Sequence, residues 1–232
     1  MSDIELNNNL FSQAVETVLT ENPQIEEIIE TGTHRGTGST VVWAMTGLPV
    51  KTIEVQRVFH EEAKRNLQNF SNVELYLGSS LPYTKMEKFI RESEDYYSSA
   101  YKKNIGCEID IYGSAVNFYI NEINGGGFAG GSQHFFEGRP ESENLLPDLI
   151  NNEKNQLIFL DSAGGVGFLE YLEVMSMRQE YLTKKILFLD DTNHVKHHRS
   201  VEDLEKRGYT VTETGDGRSA YCNFIQHHDE TR

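Results

Sequence analysis

Only two cysteines, Cys107 and Cys222, occur in 232 residues. That scarcity excludes a disulfide framework and makes a reducing, cytoplasmic setting the expected one. Long apolar runs are missing, so no segment reads as a helix able to cross a bilayer. The first residues, Met1-Ser2-Asp3-Ile4-Glu5, lack the basic start and apolar stretch of a signal peptide. Positive charge is in short supply: 21 lysines and arginines face 36 aspartates and glutamates, a formal net charge of −15. A field of that sign repels phosphate backbones, so neither nucleic acid nor an anionic membrane is an expected partner. The acidic excess serves chiefly to solvate the surface. Self-association into a homo-oligomer stays open.

The chain has ample material for a core. Hydrophobic residues make up 38% and aromatics 10%, too much for a disordered chain. Leu10, Phe11, Val15, Val18 and Leu19 fall at helical spacing, and Asn22-Pro23 ends that helix. Strand patterns follow at 25–30, 51–54, 73–77, 156–161, 185–190, 209–213 and 220–226. Helical patterns fit 39–46, 58–69, 82–97, 168–182 and 201–207. This alternation predicts an α/β fold: a Rossmann-like, seven-stranded, mostly parallel sheet with helices on both faces. Only Thr214–Ser219 separates the last two strands, so they form an antiparallel pair. The whole, 1–232, reads as one domain with an insertion at about 98–142 between the third and fourth strands. The insertion holds Asn124–Gly131, glycine-rich and flanked by aromatics, and suits a lid over a small-molecule acceptor.

Two constellations carry chemistry. The first is Glu30-Thr31-Gly32-Thr33-His34-Arg35-Gly36-Thr37-Gly38-Ser39, which follows a strand and opens a helix. Glycine there allows a sharp turn and close approach to a ligand, and the helix start offers free N–H groups. Glu54 ends the next strand, where an acid can accept both hydroxyls of a ribose. Turn and acid together describe a nucleoside-containing ligand. The spacing is not the G-x-G-x-x-G of dinucleotide folds, which weighs against an NAD-dependent oxidoreductase. Glu30 instead suits the ammonium group of an amino acid.

On these residues the chain resembles class I S-adenosylmethionine-dependent methyltransferases, whose first motif reads E/D-x-G-x-x-x-G. Thr52-Ile53-Glu54-Val55 and Ala63–Leu67 are similar to their second motif. The resemblance spans about 25–226. It implies S-adenosylmethionine as cofactor, held by Glu30, Gly32, Thr33, His34, Gly36, Ser39, Glu54, Val55, Ser79, Asp161 and Ser162. A protein that only binds S-adenosylmethionine is the non-catalytic alternative.

The second constellation is three carboxylates at strand ends: Asp161 after Leu157–Leu160, and Asp190-Asp191 after Ile186–Leu189. Parallel strands bring these ends to one edge, where the charges repel unless a proton or cation intervenes. Here the chain resembles metal-dependent O-methyltransferases of the catechol type and of the macrolide-sugar and aminocoumarin type. That resemblance implies Mg²⁺ held by Asp161, Asp190 and Asp191, with a small-molecule hydroxyl as the acceptor. The catechol type carries a lysine three residues after its first metal acid, where this chain has Gly164. The general base is therefore sought among Asp161, His134, His194 and a metal-bound hydroxide. His197 and His198 read as a loop leading to an exposed helix start. Trp43 and most aromatics before the fourth strand read as core.

Overall fold

The computed structural model describes residues 3–93, 115–128, 134–136, 138–162, 165–215 and 217–224. In chain order the elements are α1 (Asp3–Glu21), β1 (Glu27–Thr31), α2 (Ser39–Met45), β2 (Val50–Glu54), α3 (Arg57–Asn66) and β3 (Val73–Leu77). There follow α4 (Tyr83–Glu92), α5 (Ala115–Ile123), β4 (Gly126–Phe128), β5 (His134–Phe136), α6 (Leu145–Leu149) and β6 (Gln156–Leu160). The chain closes with α7 (Gly167–Met175), α8 (Gln179–Leu182), β7 (Lys185–Leu189), α9 (His198–Lys206), β8 (Val211–Glu213) and β9 (Ala220–Asn223).

The main sheet is seven-stranded, in the order β3-β2-β1-β6-β7-β9-β8. Pairing is parallel from β3 to β7, and β9 runs antiparallel to both β7 and β8. This is the expected Rossmann-like sheet with its antiparallel C-terminal pair. β1, β6 and β7 are buried at every position. Alternate residues feed opposite faces, as pleating requires. Ile28, Leu157, Phe159, Ile186 and Phe188 pack with α1 and with Trp43 of α2. Ile29, Ile158, Leu160, Leu187 and Leu189 pack with Tyr171 and Val174 of α7 and Leu204 of α9. Trp43 is fully buried among the rings of Phe11, Phe159 and Phe188, as a core residue should be.

Three expectations need correction. The helix read through 168–182 is two helices, because the Ser176 hydroxyl bonds back to the Glu173 carbonyl and Arg178 is extended. The insertion is not simply a loop. Its described part contains α5 and the β4–β5 hairpin. Val116, Phe118, Tyr119 and Ile123 of α5 pack on Leu81, on Met86 and Ile90 of α4, and on Val166, Leu169 and Val195. Finally, His197 is not at an exposed helix start. It is fully buried, its ring nitrogens within bonding distance of the Leu160 carbonyl and the Ser200 hydroxyl. Tyr96, Tyr97, Tyr101 and Tyr112 lie outside the described residues.

Candidate functional site

β1, β2 and β6 end side by side, and a cavity opens where they stop. It holds about 390 Å³ of empty space, part of it open to solvent. Gly32, Glu54, Val55, Ser79 and Ser162, all expected cofactor residues, line it. So do Thr31, Ser80, Met86, Ile123 and Val166, which the sequence did not single out. Ile123 comes from the insertion, so α5 supplies part of the wall.

The glycine turn brings backbone within reach of this space. Gly32 stands at φ +91°, and a Cβ there would lie 2.1 Å from the Asp161 carbonyl oxygen. Only glycine lets β1 pass β6 so closely. Glu54 is buried at the end of β2. Its carboxylate accepts the His34 backbone N–H at 2.6 Å and the Gln56 N–H at 2.7 Å. Burial nonetheless pushes its carboxyl up to about 8 against those two donors, with Glu122 nearby adding to the rise.

Other expected cofactor residues stand behind the cavity rather than on it. Glu30 is fully buried under the turn. It accepts hydroxyl bonds from Ser39 and Thr40 at 2.7 Å and from Thr52 at 2.6 Å. The Thr33 hydroxyl lies 2.6 Å from that of Thr52. A carboxylate so enclosed braces the turn, with the hydroxyls of Ser39, Thr40 and Thr52 as its partners. Ser39 and Thr33 belong to the same brace. The His34 ring rests on Phe59, so this residue meets the site through its backbone. A Cβ on Gly36 would strike Leu67 and Ala63, so this glycine serves packing of the turn on α3.

Behind Thr31 and Ser162 lies Glu170 of α7, another residue the sequence reading passed over. Its Oε2 accepts the hydroxyls of Thr31 at 3.0 Å and Ser162 at 2.9 Å. Burial pushes its carboxyl up to about 7, with Ser80, Ser162 and Thr31 opposing.

The three aspartates do meet: each offers an oxygen, all within 4.8 Å of one another. They are the only such group among the described residues. They do not meet alone. Lys196 Nζ lies 2.7 Å from Asp161 Oδ1 and 3.2 Å from Asp191 Oδ2. Arg218 Nη2 lies 2.7 Å from Asp190 Oδ2 and 2.7 Å from Asp191 Oδ1. The Ser219 hydroxyl donates to Asp190 Oδ1 at 3.0 Å. Burial raises the Asp161 carboxyl well above its usual range; Lys196 opposes that and Asp190 adds to it. The Asp161 and Asp191 side chains remain about one quarter exposed, so the cluster has an open side.

Of the candidate bases, His194 lies beside this cluster. Its Nδ1 accepts the Lys196 backbone N–H at 3.2 Å, and its Nε2 lies 3.1 Å from the Tyr119 hydroxyl. Burial and then Lys196 push its pKa down to about 4, so it is a neutral ring held between partners, a poor base. The backbone of His134 is in β5, and its side chain lies outside the described residues, as does most of the expected lid.

Cavity and cluster share one seam. The Asp161 N–H donates to the Thr31 carbonyl at 3.1 Å and its hydroxyl at 3.2 Å, and Ser162, the next residue, lines the cavity. No described helix is long and apolar enough to cross a membrane.

No protein-family model and no curated protein matches this chain. Solved structures similar to it include a putative caffeoyl-CoA O-methyltransferase from Staphylococcus aureus. It is 13% identical with a TM-score of 0.45, covering 96% of this chain and 93% of that one. An O-methyltransferase from Bacillus cereus in complex with SAH is 14% identical, TM-score 0.44, covering 96% and 82%. A human methyltransferase 10 domain containing protein is 12% identical, TM-score 0.49, covering 97% and 84%. At such identities and scores the fold stands on the strand order above, and function must be argued from the site.

Proposed function

We propose that this protein is an S-adenosylmethionine-dependent methyltransferase acting on a hydroxyl of a small molecule. The observation that carries the reading is the Glu54 carboxylate, buried at the end of β2 on the wall of a cavity whose other side is the glycine turn. A nucleoside needs a hydroxyl acceptor and an edge of bare backbone, and this cavity offers both. Bound there, S-adenosylmethionine supplies an electrophilic methyl group. Glu54 would hold the ribose, Gly32 and Ser162 would meet the amino-acid end, and Ser79 and Met86 would face the base.

The chain's own work is alignment and charge handling. Asp161 joins the cavity to the carboxylate cluster and is partly open to solvent, so it is the group suited to take the proton of an acceptor hydroxyl. Mg²⁺ was expected among the three aspartates. As folded, the cluster does not fit it: cations of the chain itself already hold the carboxylate oxygens at 2.7–3.2 Å. A six-coordinate ion at about 2.0–2.1 Å from each oxygen would have to displace them.

Calorimetry with S-adenosylhomocysteine tests the reading. Binding is expected, with a rise in melting temperature because the ligand is specific to the native state. Glu54→Ala should weaken it by about 1–3 kcal/mol, the worth of a hydrogen-bond acceptor that carries charge. Absence of binding at millimolar ligand overturns the assignment.

The raised Glu54 carboxyl adds a pH signature. Ribose hydroxyls donate, so they favour the ionised form, and affinity should climb as pH rises toward about 8 and level off beyond it. Stability of the free protein moves the other way. The folded carboxyl keeps its proton to a higher pH than the unfolded one, about 4.3, so this group's contribution falls as pH rises between the two values. Glu54→Gln should flatten both curves relative to wild type. Parallel curves for the two proteins would remove Glu54 from the site.

A further inference from the structure

Three carboxylates at one sheet edge ask for positive charge, and the fold contains a lysine built to give it. Lys196 is almost wholly buried, with 8% of its surface exposed. It is reached by a shaped loop rather than by a swinging surface side chain. Asp191 takes a left-handed backbone at φ +54°, and its carbonyl accepts the His194 N–H at 2.9 Å. The His194 ring then accepts the Lys196 N–H. On the far side the lysine stem fits against Gly167, the first residue of α7. A Cβ there would lie 2.5 Å from Lys196 Cγ and 2.6 Å from the His197 ring. His197 is itself fixed by the Leu160 carbonyl and Ser200. Backbone turn, glycine notch and buried histidine all hold one ammonium between Asp161 and Asp191.

The geometry points to Lys196 standing in the place of a metal: the chain carries its own cation between Asp161 and Asp191, and the protein neither binds nor needs a divalent ion there. Each carboxylate oxygen of Asp190 and Asp191, and Oδ1 of Asp161, already has a donor from Lys196, Arg218 or Ser219. A divalent ion entering this space would face the positive charges of Lys196 and Arg218 at contact distance. It would also have to push a packed lysine stem past Gly167. An ammonium has three N–H donors, of which two serve the aspartates. On the methyl-transfer reading, this ammonium takes the charge-balancing place beside the acceptor that a metal would have had. Metal exclusion itself holds whether or not that reading does.

The test uses Mn²⁺, whose free fraction is read by electron paramagnetic resonance, on the chelator-treated full chain. Wild type is expected to bind no Mn²⁺ at this cluster and to show no Mn²⁺ or Mg²⁺ shift in melting temperature. Lys196→Ala vacates the position and should bind Mn²⁺ at least about tenfold more tightly than wild type. A matching rise in melting temperature is expected, because the ion relieves three facing carboxylates. If that variant does not fold, Lys196→Gln keeps most of the stem and offers an oxygen ligand, and it is read the same way. Mn²⁺ binding by wild type that Asp190→Asn abolishes overturns the proposal, as does a folded Lys196 variant that gains no Mn²⁺ affinity. S-adenosylhomocysteine titration of the same samples keeps the two ideas apart: its failure sinks the methyltransferase reading and leaves the metal result standing.

Discussion

Gly32→Ala is expected to lower stability by about 3–5 kcal/mol and to abolish S-adenosylhomocysteine binding in whatever protein still folds. Two costs combine. The backbone at φ +91° is one that side chains resist, worth about 1–2 kcal/mol by itself. The added methyl would also sit 2.1 Å from the Asp161 carbonyl oxygen and 2.7 Å from its carbon, both backbone atoms. No side chain can swing aside. Relief requires parting β1 from β6, whose parallel ladder runs from Glu27–Gln156 to Thr31–Leu160. That movement would carry Thr31 and Ser162 off the cavity wall together. Gly208→Ala separates the costs. Gly208 has φ +83° with open space around it, so only the backbone term of about 1–2 kcal/mol applies. Urea melts of the two variants supply the comparison. Equal losses would mean that the close approach of β1 to β6 carries no energy.

The glycine turn was legible because spacing encodes it: a strand, glycines at fixed intervals, then a helix. The parallel character of the sheet was legible for a related reason, since buried runs such as Leu157–Leu160 and Ile186–Leu189 suit parallel strands covered on both faces. Direction of a side chain was not. Glu30 precedes Gly32 by two residues and reads as a ligand, yet alternation along β1 points it at α2, while Thr31 faces the cavity. Distance in sequence also hid partners. Glu170 reaches Thr31 across 139 positions, and nothing local marks it. Arg218 was not legible. An antiparallel last pair leaves open which of its strands adjoins β7; the sheet order puts β9 there, with Ala220 against Leu189. Residues just before Ala220 must therefore stand beside Asp190, and they are Arg218 and Ser219. Lys196 belongs to no motif, and its partner Asp161 lies 35 positions away on another strand end. Its one signal was its setting, a lysine in the short stretch between an acid pair and the next helix. The part of the insertion made by α5 escaped because its apolar residues face a local core rather than the sheet.

Glu30→Ala should cost about 3 kcal/mol or more, from buried hydroxyls left without an acceptor and the space the side chain vacates. Ser39, Thr40 and Thr52 all donate to this carboxylate. Because the Thr52 hydrogen is committed to Glu30, its oxygen is left to accept from Thr33. Glu30 thus ties β1, the turn, β2 and the first turn of α2 into one unit. Burial raises its carboxyl above the usual range while the three hydroxyls oppose the rise. The folded group therefore holds its proton to higher pH than the unfolded chain does, and its contribution to stability declines as pH rises from about 4.3 toward the folded value. Glu30→Gln keeps the volume and lets the hydroxyls reorient, so it should cost much less than alanine and remove that pH slope. Ligand binding separates a brace from a ligand. A brace predicts that Glu30→Gln, once folded, binds S-adenosylhomocysteine within a few-fold of wild type. A direct bond to the ammonium predicts a loss of about tenfold or more, the worth of a charged hydrogen bond. Calorimetry on the glutamine variant distinguishes the two, and the larger loss would return Glu30 to the cavity.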